Sequence, residues 1–253
     1  MSTDPPPPSA SHDDTNNLIE TGTDAALAYW AAITPDDAGV LGGYPAVSRA
    51  DLRGSAAFLA KLRRKSLSHA AGAKLSRVVD VGAGIGRVTK GFLANVAKTV
   101  DVVEPVQKLT HELTHGEAGR TLRETGTLGE VYNVGAQEWT PESGRMYDVV
   151  WTQWCVGQVT DLQLVEYLQR VQKNLVAGGW IVVKENLSTE ADGSDIFDET
   201  DRSVTRADGK FRDIFEHAGL DIVATEVQRG LPKELYPVRS YALQPKRGKS
   251  AAT

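Results

Sequence analysis

Short runs of β-branched residues alternate with amphipathic segments from residue 77 onward, and this alternation restricts the fold more than any other feature of the chain. Gly, Pro, Asn or Ser residues bound each run, which is typical of strands. The predicted strands are residues 77–81, 99–103, 131–134, 148–152 and 180–184. Because helical patterns lie between several of them, we expect parallel βαβ units.

The clearest helical pattern covers residues 161–174 and carries apolar residues at steps of three and four, which places them on one face. These apolar residues are Leu164, Val165, Leu168, Val171 and Leu175. We expect Gly178 and Gly179 to end this helix, because glycine is common just beyond the last helical turn.

The pattern changes near the end of the chain. After a last helix at residues 211–217, two apolar segments, 220–228 and 238–243, follow without a helix between them. Two strands joined in this way predict an antiparallel hairpin at one sheet edge. The predicted fold class is therefore an α/β sandwich with a mostly parallel sheet.

The length of 253 residues suits one sizeable domain, at about 100 to 200 residues per domain. Residues 1–20 contain four consecutive prolines and then mostly Ser, Asp and Asn, so we predict a disordered leader there. We predict a single domain over residues 21–245, divided into an N-terminal helical cap at 21–70 and an α/β core at 75–245. Residues 246–253 are predicted to be a flexible tail.

Composition excludes several classes of function. Hydrophobic residues make up 41% and charged residues 24%, as in ordinary soluble proteins. The formal charge of −5 argues against a nucleic-acid-binding surface and favours a cationic partner. A single cysteine, Cys155, cannot form an internal disulfide or a zinc site by itself, so we expect no metal and a reducing compartment.

No Lys or Arg precedes Arg49 and no apolar run approaches about 18 residues, so we expect no membrane insertion and a cytoplasmic location with access to the nucleus.

Residues 77–87, RVVDVGAGIGR, describe a strand, a glycine-rich turn and the start of a helix. Glycines at 82, 84 and 86 let the backbone turn sharply and approach a ligand, and the helix that follows presents unpaired N–H groups. A nucleotide-like ligand is therefore expected here. The G-x-G-x-G spacing is one residue short of the dinucleotide fingerprint, which disfavours a pyrophosphate cofactor. A tight turn without a ligand is the alternative interpretation.

Two further strand ends carry residues that suit an adenosine group. Glu104 lies at the end of the second predicted strand, 22 residues beyond Gly82, where a carboxylate can accept hydrogen bonds from both ribose hydroxyls. The third strand is followed by Gly-Ala-Gln-Glu at residues 135–138, whose polar groups could bind an adenine edge. Three successive strand ends together predict an adenosine-containing cofactor.

These features resemble the class I methyltransferases that use S-adenosyl-L-methionine, and more narrowly the α-N-terminal protein methyltransferases. The segments that carry the narrower resemblance are Tyr29-Trp30, GVLGGY at 39–44, DVGAGIGRVTK at 80–90, WTQWCVGQVTD at 151–161, KEN at 184–186 and DETDRSVTR at 198–206. The resemblance covers about residues 25–245. It implies a Rossmann-like sandwich with a seven-stranded sheet and a monomer. It also implies methylation of the free α-amino group of proteins that begin Xaa-Pro-Lys after removal of the initiator Met, with ribosomal proteins among the expected substrates.

The resemblance also implies a role for individual residues. The implied cofactor-binding residues are Trp30, Gly82, Gly84, Arg87, Glu104, Ala136, Gln137 and Gln153. The implied substrate-binding residues are Tyr29, Leu41, Trp154, Gln158, Asp198, Ser203 and Tyr236. The implied catalytic residues are Asp201, Asn186 and Asp198, with Asp201 as proton acceptor and Asn186 as its orienting partner.

The chemistry of the residues themselves favours part of this assignment. Aromatic faces such as that of Trp154 can enclose a proline ring or a sulfonium group, whereas Trp151, inside a strand, is expected in the core. Glu190, Asp192 and Asp195 are expected to lie in a solvated loop, whereas Asp198 and Asp201 match the family's peptide-binding motif, which implies that their carboxylates bind the substrate's ammonium group. Cys155 is expected to be a structural thiol, because no His is placed to activate it.

Two departures from the family pattern stand out, and three alternatives stay open. Gln158 occupies a position where family members often have His, and the loop at 190–197 is lengthened. A class I methyltransferase acting on a small-molecule amine is the main alternative. A nicotinamide oxidoreductase is disfavoured by the glycine spacing, and a non-catalytic cofactor-binding partner of another methyltransferase by the intact motifs.

Overall fold

Helices and strands alternate along the chain in the computed structural model, which describes residues 12–66 and 72–246. The strands are β1 Leu75–Val81, β2 Ala97–Val103, β3 Leu128–Tyr132, β4 Tyr147–Gln153, β5 Leu175–Asn186, β6 Ile196–Asp198, β7 Ser203–Thr205, β8 Leu220–Val227 and β9 Val238–Pro245. The α-helices are α1 His12–Ala32, α2 Asp37–Val40, α3 Ser48–Lys65, α4 Ala94–Val96, α5 Gln107–Thr114, α6 Arg120–Glu124, α7 Asp161–Val171 and α8 Asp208–His217. A π-helical turn, Thr89–Leu93, leads into α4.

Seven of these strands form one sheet in the order β3-β2-β1-β4-β5-β9-β8. The pairs from β3 to β5 are all parallel, and β9 is antiparallel to both β5 and β8. The predicted fold, a mostly parallel seven-stranded sheet with a final antiparallel hairpin, is confirmed. The remaining strands, β6 and β7, form a separate small hairpin.

Two apolar layers cover the sheet, one on each face. On one face α7 and α8 pack against β4, β5 and β9 through residues such as Leu164 and Phe211. On the other face α3 and the π-helical turn contribute Phe58 and Phe92, and Phe92 packs edge-on against Trp151 with ring centroids 5.0 Å apart. Every residue of β4 is buried, which explains why the central strands have continuous apolar sequences.

Several element boundaries differ from the prediction. The helix α7 ends at Val171, and β5 already begins at Leu175, so the prediction that Gly178 and Gly179 end the helix is wrong. Both glycines lie inside β5, next to a shift in its register with β4. A Cβ atom on Gly179 would lie 2.9 Å from the Asp148 carbonyl oxygen, so the neighbouring strand requires glycine there. The third strand also lies earlier than predicted, over Leu128–Tyr132.

The N-terminal helix α1 begins at His12, so the prediction of a disordered leader is wrong for residues 12–20. Thr15 and Ile19 are buried, and the Asp161 N–H at the start of α7 donates to Asn16 Oδ1 at 2.9 Å. These contacts stabilise a segment that has few apolar residues of its own. Residues 1–11 and 247–253, where the rest of the leader and nearly all of the tail were predicted, lie outside the described residues. Among the described helices, none has the length and apolar character to cross a membrane.

Candidate active site

A cavity of about 340 Å³ opens at the carboxyl ends of β1, β2, β3 and β4, and α1 covers it. Ligands of open α/β sheets bind at this edge of the sheet. The predicted cofactor-binding residues all line this first cavity: Trp30, Gly82, Gly84, Arg87, Glu104, Ala136, Gln137 and Gln153. The structure therefore brings together residues that are up to 123 positions apart in the chain.

The glycine loop after β1 has positive φ angles at all three glycines, 72° at Gly82, 55° at Gly84 and 72° at Gly86. A Cβ atom on Gly82 would lie 2.3 Å from Cys155 Cβ, and one on Gly86 would lie 2.3 Å from Leu113 Cδ1. Packing therefore requires glycine at these two positions. At Gly84 the nearest such atom is 3.6 Å away, so this glycine faces the open cavity and leaves room for a ligand.

Glu104 links the glycine loop to the end of β2. Its Oε2 accepts a hydrogen bond from the Gly84 N–H at 2.9 Å, and its Oε1 accepts one from the Val106 N–H at 2.9 Å. The residue is 6% exposed, and burial raises the pKa of its carboxyl group. Each carboxylate oxygen can accept a second hydrogen bond, so Glu104 can hold the loop and still receive ligand hydroxyls.

Arg87 and Gln153 are held from behind by Asp51 of α3, a residue that the sequence pattern did not single out. Arg87 Nη1 donates to Asp51 Oδ2 at 2.7 Å, and Gln153 Nε2 lies 2.9 and 3.0 Å from the two carboxylate oxygens. Gln153 Oε1 accepts from Trp151 Nε1 at 3.0 Å. Its amide is thus fixed within the protein, and both Arg87 and Gln153 reach the cavity wall with defined orientations.

A second cavity of about 260 Å³ adjoins the first. It is lined by eight of the predicted substrate-binding and catalytic residues: Tyr29, Leu41, Trp154, Gln158, Asn186, Asp201, Ser203 and Tyr236. Asp198 does not line it, contrary to its predicted place in the site. Asp198 is exposed at the end of β6, where its Oδ1 accepts from the Thr200 N–H at 2.7 Å, so the carboxylate is held in the turn.

The two cavities share one wall, formed by Trp30, Val40, Leu41, Trp154, Cys155 and Gln158. Trp154 has a φ of 52°, an uncommon conformation for a residue other than glycine, and such strain is typical of functional sites. Trp154 Nε1 and Gln158 Oε1 are buried and have no hydrogen-bond partner among the described residues. A donor and an acceptor are therefore left for a ligand at the wall between the cavities.

Asp201 is half-buried in the second cavity, and its Oδ1 accepts from the Ser203 N–H at 3.0 Å. Burial, together with the nearby charge of Asp198, raises the pKa of the Asp201 carboxyl group. Burial and the charges of Asp201 and Asp198 also raise the pKa of Tyr29. Asp198 is thus close enough to influence the site electrostatically, although it lies outside the cavity.

Glu185 is a buried carboxyl group beside Asn186 that sequence analysis missed. Its oxygens accept from the backbone N–H groups of Cys155 at 2.8 Å, Val156 at 3.1 Å and Asn186 at 3.2 Å. Burial raises its pKa to about 7. These bonds fix the turn that carries Trp154 and Gln158.

Cys155 has the properties of a structural thiol. Its Sγ donates to the Val81 carbonyl oxygen at 3.4 Å. Desolvation and nearby carboxylates raise the pKa of this thiol well above its ordinary value, which favours the protonated form. Among the described residues no cluster of His, Cys, Asp and Glu is arranged to bind a metal ion.

The sheet order and the cavity at its carboxyl edge define a class I methyltransferase dependent on S-adenosyl-L-methionine. A solved SAM-dependent methyltransferase from Leishmania major has a TM-score of 0.77 with this chain at 29% identity, covering 92% of this chain and 91% of that one. A magnesium protoporphyrin IX methyltransferase from Synechocystis with bound SAM shares the fold, with a TM-score of 0.57, over 94% of this chain and all of that one. The family model described as AdoMet dependent proline di-methyltransferase matches residues 19–244, and the chain belongs to this family.

Curated relatives agree with the family assignment. The chain is 40% identical to Alpha N-terminal protein methyltransferase 1 of Arabidopsis thaliana, over 86% of this chain and 77% of the relative. It is 38% identical to N-terminal Xaa-Pro-Lys N-methyltransferase 1-A of Xenopus laevis, over 87% of this chain and 93% of the relative. The protein is thus an enzyme of the methyltransferase class.

The residues of the first cavity fit S-adenosyl-L-methionine. The open space over Gly84 allows the backbone to approach a ligand, and Glu104 keeps acceptors for ribose hydroxyls. Ala136 and Gln137 lie where an adenine edge could bind, and the guanidinium of Arg87 suits the amino-acid carboxylate.

Proposed function

We propose that this enzyme methylates the free α-amino group of polypeptides that begin Xaa-Pro-Lys after removal of the initiator Met. The observation that carries the proposal is that the two cavities adjoin at the shared wall. A chain terminus bound in the second cavity would therefore lie next to the first cavity, beside Trp154 and Gln158. The names of the relatives from Xenopus laevis and mouse describe this substrate, which supports the same conclusion.

The chemistry required of the protein is mainly positioning. When bound, the cofactor supplies a sulfonium methyl group that an uncharged amine can displace. No oxyanion develops in such a displacement, so alignment of the reacting groups and exclusion of water contribute most. Leu41 and Trp154, which line both cavities, would exclude water from the passage between them.

The amine has to lose a proton before it can attack. An α-amino group has an ordinary pKa of about 7.7 to 8.0, so a minority of it is neutral at pH 7. Asp201, in the second cavity, would accept the proton that the nitrogen of the neutral amine gives up when it is methylated, and the Asn186 amide would orient the amine. Gln158 Oε1 provides a further acceptor in the shared wall, but an amide cannot take up a proton as an imidazole would.

The walls of the second cavity suit a proline at the second position of the substrate. Proline has no backbone N–H, so it can lie against the apolar faces of Trp154 and Leu41 without leaving a donor unpaired. Asp198 and Glu199 are exposed near Asp201, where their charges would attract a lysine side chain at the third position. The formal charge of −5 also suits cationic chain termini. We include ribosomal proteins that begin in this way among the substrates, with the enzyme acting as a monomer in the cytoplasm and with access to the nucleus.

Peptide methylation tests this proposal directly. An Xaa-Pro-Lys peptide is incubated with the enzyme and isotope-labelled S-adenosyl-L-methionine, and turnover is followed by mass spectrometry. We expect methylation of the Pro peptide and little or none of its Xaa-Gly-Lys or N-acetylated counterparts. Equal turnover of the three peptides would contradict the proposal.

A further inference from the structure

A buried ion cluster lies directly behind the wall of the first cavity. It consists of Asp51 from α3, Lys184 from β5, Arg87 from the helix after the glycine loop and Gln153 from β4. Asp51 and Lys184 are each 0% exposed, and neither lines the first or the second cavity. Arg87 and Gln153 do line the first cavity, so the cluster has a buried half and a half that faces the ligand site.

The Asp51 carboxylate is the centre of this cluster. Its Oδ1 accepts from Lys184 Nζ at 2.5 Å, and its Oδ2 accepts from Arg87 Nη1 at 2.7 Å. Gln153 Nε2 lies within 3.0 Å of both oxygens. A carboxylate has about four acceptor positions, so these donors use nearly all of its capacity.

The two cations of the cluster have different surroundings. Lys184 has neutral acceptors besides Asp51, since its Nζ also donates to Ser55 Oγ at 2.9 Å and to Gln228 Oε1 at 2.8 Å. Arg87 lies over the ring of Trp154, with its Cζ 5.3 Å from the ring centroid. Asp51 therefore connects Lys184, in the core of the sheet, to Arg87, which packs against Trp154 of the shared wall.

We infer that Asp51 is a positioning residue for cofactor binding, which holds Arg87 and Gln153 from behind while Lys184 neutralises its charge. A guanidinium fixed by a buried carboxylate loses little conformational freedom when it binds a ligand. The cluster also makes α3 part of the cofactor site, because Asp51 is the residue through which this helix reaches Arg87 and Gln153. This inference concerns cofactor binding alone and does not depend on the peptide substrate.

The structure offers a matched control, because Asp101 is also 0% exposed and ion-paired, but its partners Arg77 and Tyr147 line neither cavity. Its Oδ2 accepts from Arg77 Nε at 2.8 Å and from Tyr147 Oη at 2.9 Å. Removing either carboxylate leaves buried donors without their partner and is expected to lower stability. Only the loss of Asp51 should change the cofactor site.

The test measures the Kd of S-adenosyl-L-methionine by calorimetry, without peptide, at a temperature where circular dichroism shows each variant folded. We expect Asp51→Asn to raise this Kd by about tenfold or more, the range seen when a partner that orients a ligating group is removed. Asp101→Asn should change it by less than about twofold. In an Arg87→Met background, Asp51→Asn should weaken binding by less than about threefold, because the main group that it positions is already absent.

Two results would overturn the inference: an Asp51→Asn variant that binds the cofactor like Asp101→Asn, or a loss of affinity that is undiminished in the Arg87→Met background. If Asp51→Asn does not fold, Asp51→Glu keeps the charge but displaces the carboxylate. It is then compared with Asp101→Glu by the same criteria. Because peptide is absent from every measurement, these outcomes are separate from any failure of the proposed substrate.

Discussion

At the scale of single residues, the glycines of the loop after β1 have different roles. Gly82 and Gly86 are required by packing, whereas Gly84 leaves space for a ligand. Gly82 and Gly84 belong to one motif and both have positive φ angles. A side chain at Gly82 would collide with Cys155, whereas one at Gly84 would enter the cavity. Substitution of Gly82 therefore tests packing, and substitution of Gly84 tests cofactor binding.

We expect Gly84→Ala to weaken cofactor binding by at least about tenfold, because the added methyl group would occupy space in the cavity. The protein should stay folded, because a left-handed conformation costs a non-glycine residue only about 1–2 kcal/mol. Gly82→Ala should instead lower the melting temperature markedly. Calorimetry with S-adenosyl-L-methionine and thermal unfolding measure the two effects. Native affinity in the Gly84→Ala variant would mean that the ligand does not approach this glycine.

Asp201→Asn should lower peptide turnover by at least about 10², since general-base assistance typically contributes a factor of about 10² to 10⁴. The substitution nearly preserves shape and should leave cofactor affinity unchanged. Asp192→Asn is the matched control, because Asp192 belongs to the same acid-rich segment but is exposed and lines neither cavity. Undiminished turnover of Asp201→Asn at saturating peptide would exclude the assigned role.

The pH dependence of turnover provides a second measure of the same residue. The active form has Asp201 ionised and the amine neutral, so the rate should rise with pH through the amine pKa of about 7.7 to 8.0. Burial raises the pKa of Asp201. As the pH falls, Asp201 therefore becomes protonated at a higher pH than a free aspartate would, and turnover should fall with it.

Gln158→His adds a titrating acceptor and should partly restore turnover in the Asp201→Asn variant.

Residues with a local sequence signature could be predicted, and residues defined only by tertiary contacts could not. Glu104 was identified because it ends a strand at a fixed distance from the glycine loop. Asp51 and Lys184 are 133 residues apart and meet only in the folded protein. Glu185 lies between Lys184 and Asn186 at the polar end of β5, where the sequence pattern gives no sign that three backbone N–H groups surround its carboxylate.

At the scale of secondary-structure elements, strands β1, β2, β4 and β5 could be predicted, because burial on both faces leaves apolar runs. The hairpin of β8 and β9 could be predicted because no helix lies between its two strand-like segments. The start of α1 could not. Its first turns are stabilised by contacts with α7 and with the segment that contains β6 and β7. These contacts join residues that are far apart in the sequence, such as Asn16 and Asp161 or Leu18 and Arg202.

One of those contacts joins α1 to the element that carries the proton acceptor. Arg202, next to Asp201, has a φ of 60°, and its Nη2 donates to the Leu18 carbonyl oxygen at 3.4 Å. Its guanidinium lies over the ring of Phe197 at 5.2 Å. Gly22 makes room for it, because a Cβ atom there would lie 2.6 Å from Arg202 Nε.

Arg202→Asn should therefore loosen α1. Asparagine tolerates a positive φ better than most residues, so the substitution mainly removes the guanidinium contacts. We expect faster hydrogen exchange of the α1 amides and a peptide KM raised about threefold or more. Arg212→Ala, which removes an exposed arginine paired with Asp208 in α8, is the control. Unchanged protection of α1 would show that Arg202 does not hold this helix.

At the scale of the whole molecule, two buried carboxyl groups make stability depend on pH. Burial raises the pKa of Asp80 to about 6 and that of Glu185 to about 7. Between the ordinary pKa of each group and its raised value, the folded chain keeps a proton that the unfolded chain has released. Unfolding therefore releases protons, and the free energy of unfolding contributed by these groups falls as pH rises from about 4 to about 7.

Glu185→Gln should remove the larger part of this dependence. The Gln oxygen can still accept from Cys155 and Val156, but the side chain no longer titrates. Denaturant unfolding between pH 5 and pH 8 should show that native stability declines relative to the variant, by about 1 kcal/mol or more. A difference in the free energy of unfolding between the two proteins that stays constant from pH 5 to pH 8 would contradict the assignment. Glu199→Gln, at an exposed position, serves as the control.

Methyl transfer to one kind of chain terminus is the central claim, and a single competition measures it. The enzyme receives labelled S-adenosyl-L-methionine with equal amounts of an Xaa-Pro-Lys peptide, its Xaa-Gly-Lys and N-acetylated counterparts, and a small-molecule amine. Tandem mass spectrometry then identifies the methylated atom in each product. We expect label on the α-amino nitrogen of the Xaa-Pro-Lys peptide in large excess over the other three. Label that appears mainly on the small amine, or on the lysine side chain of the acetylated peptide, would contradict the account.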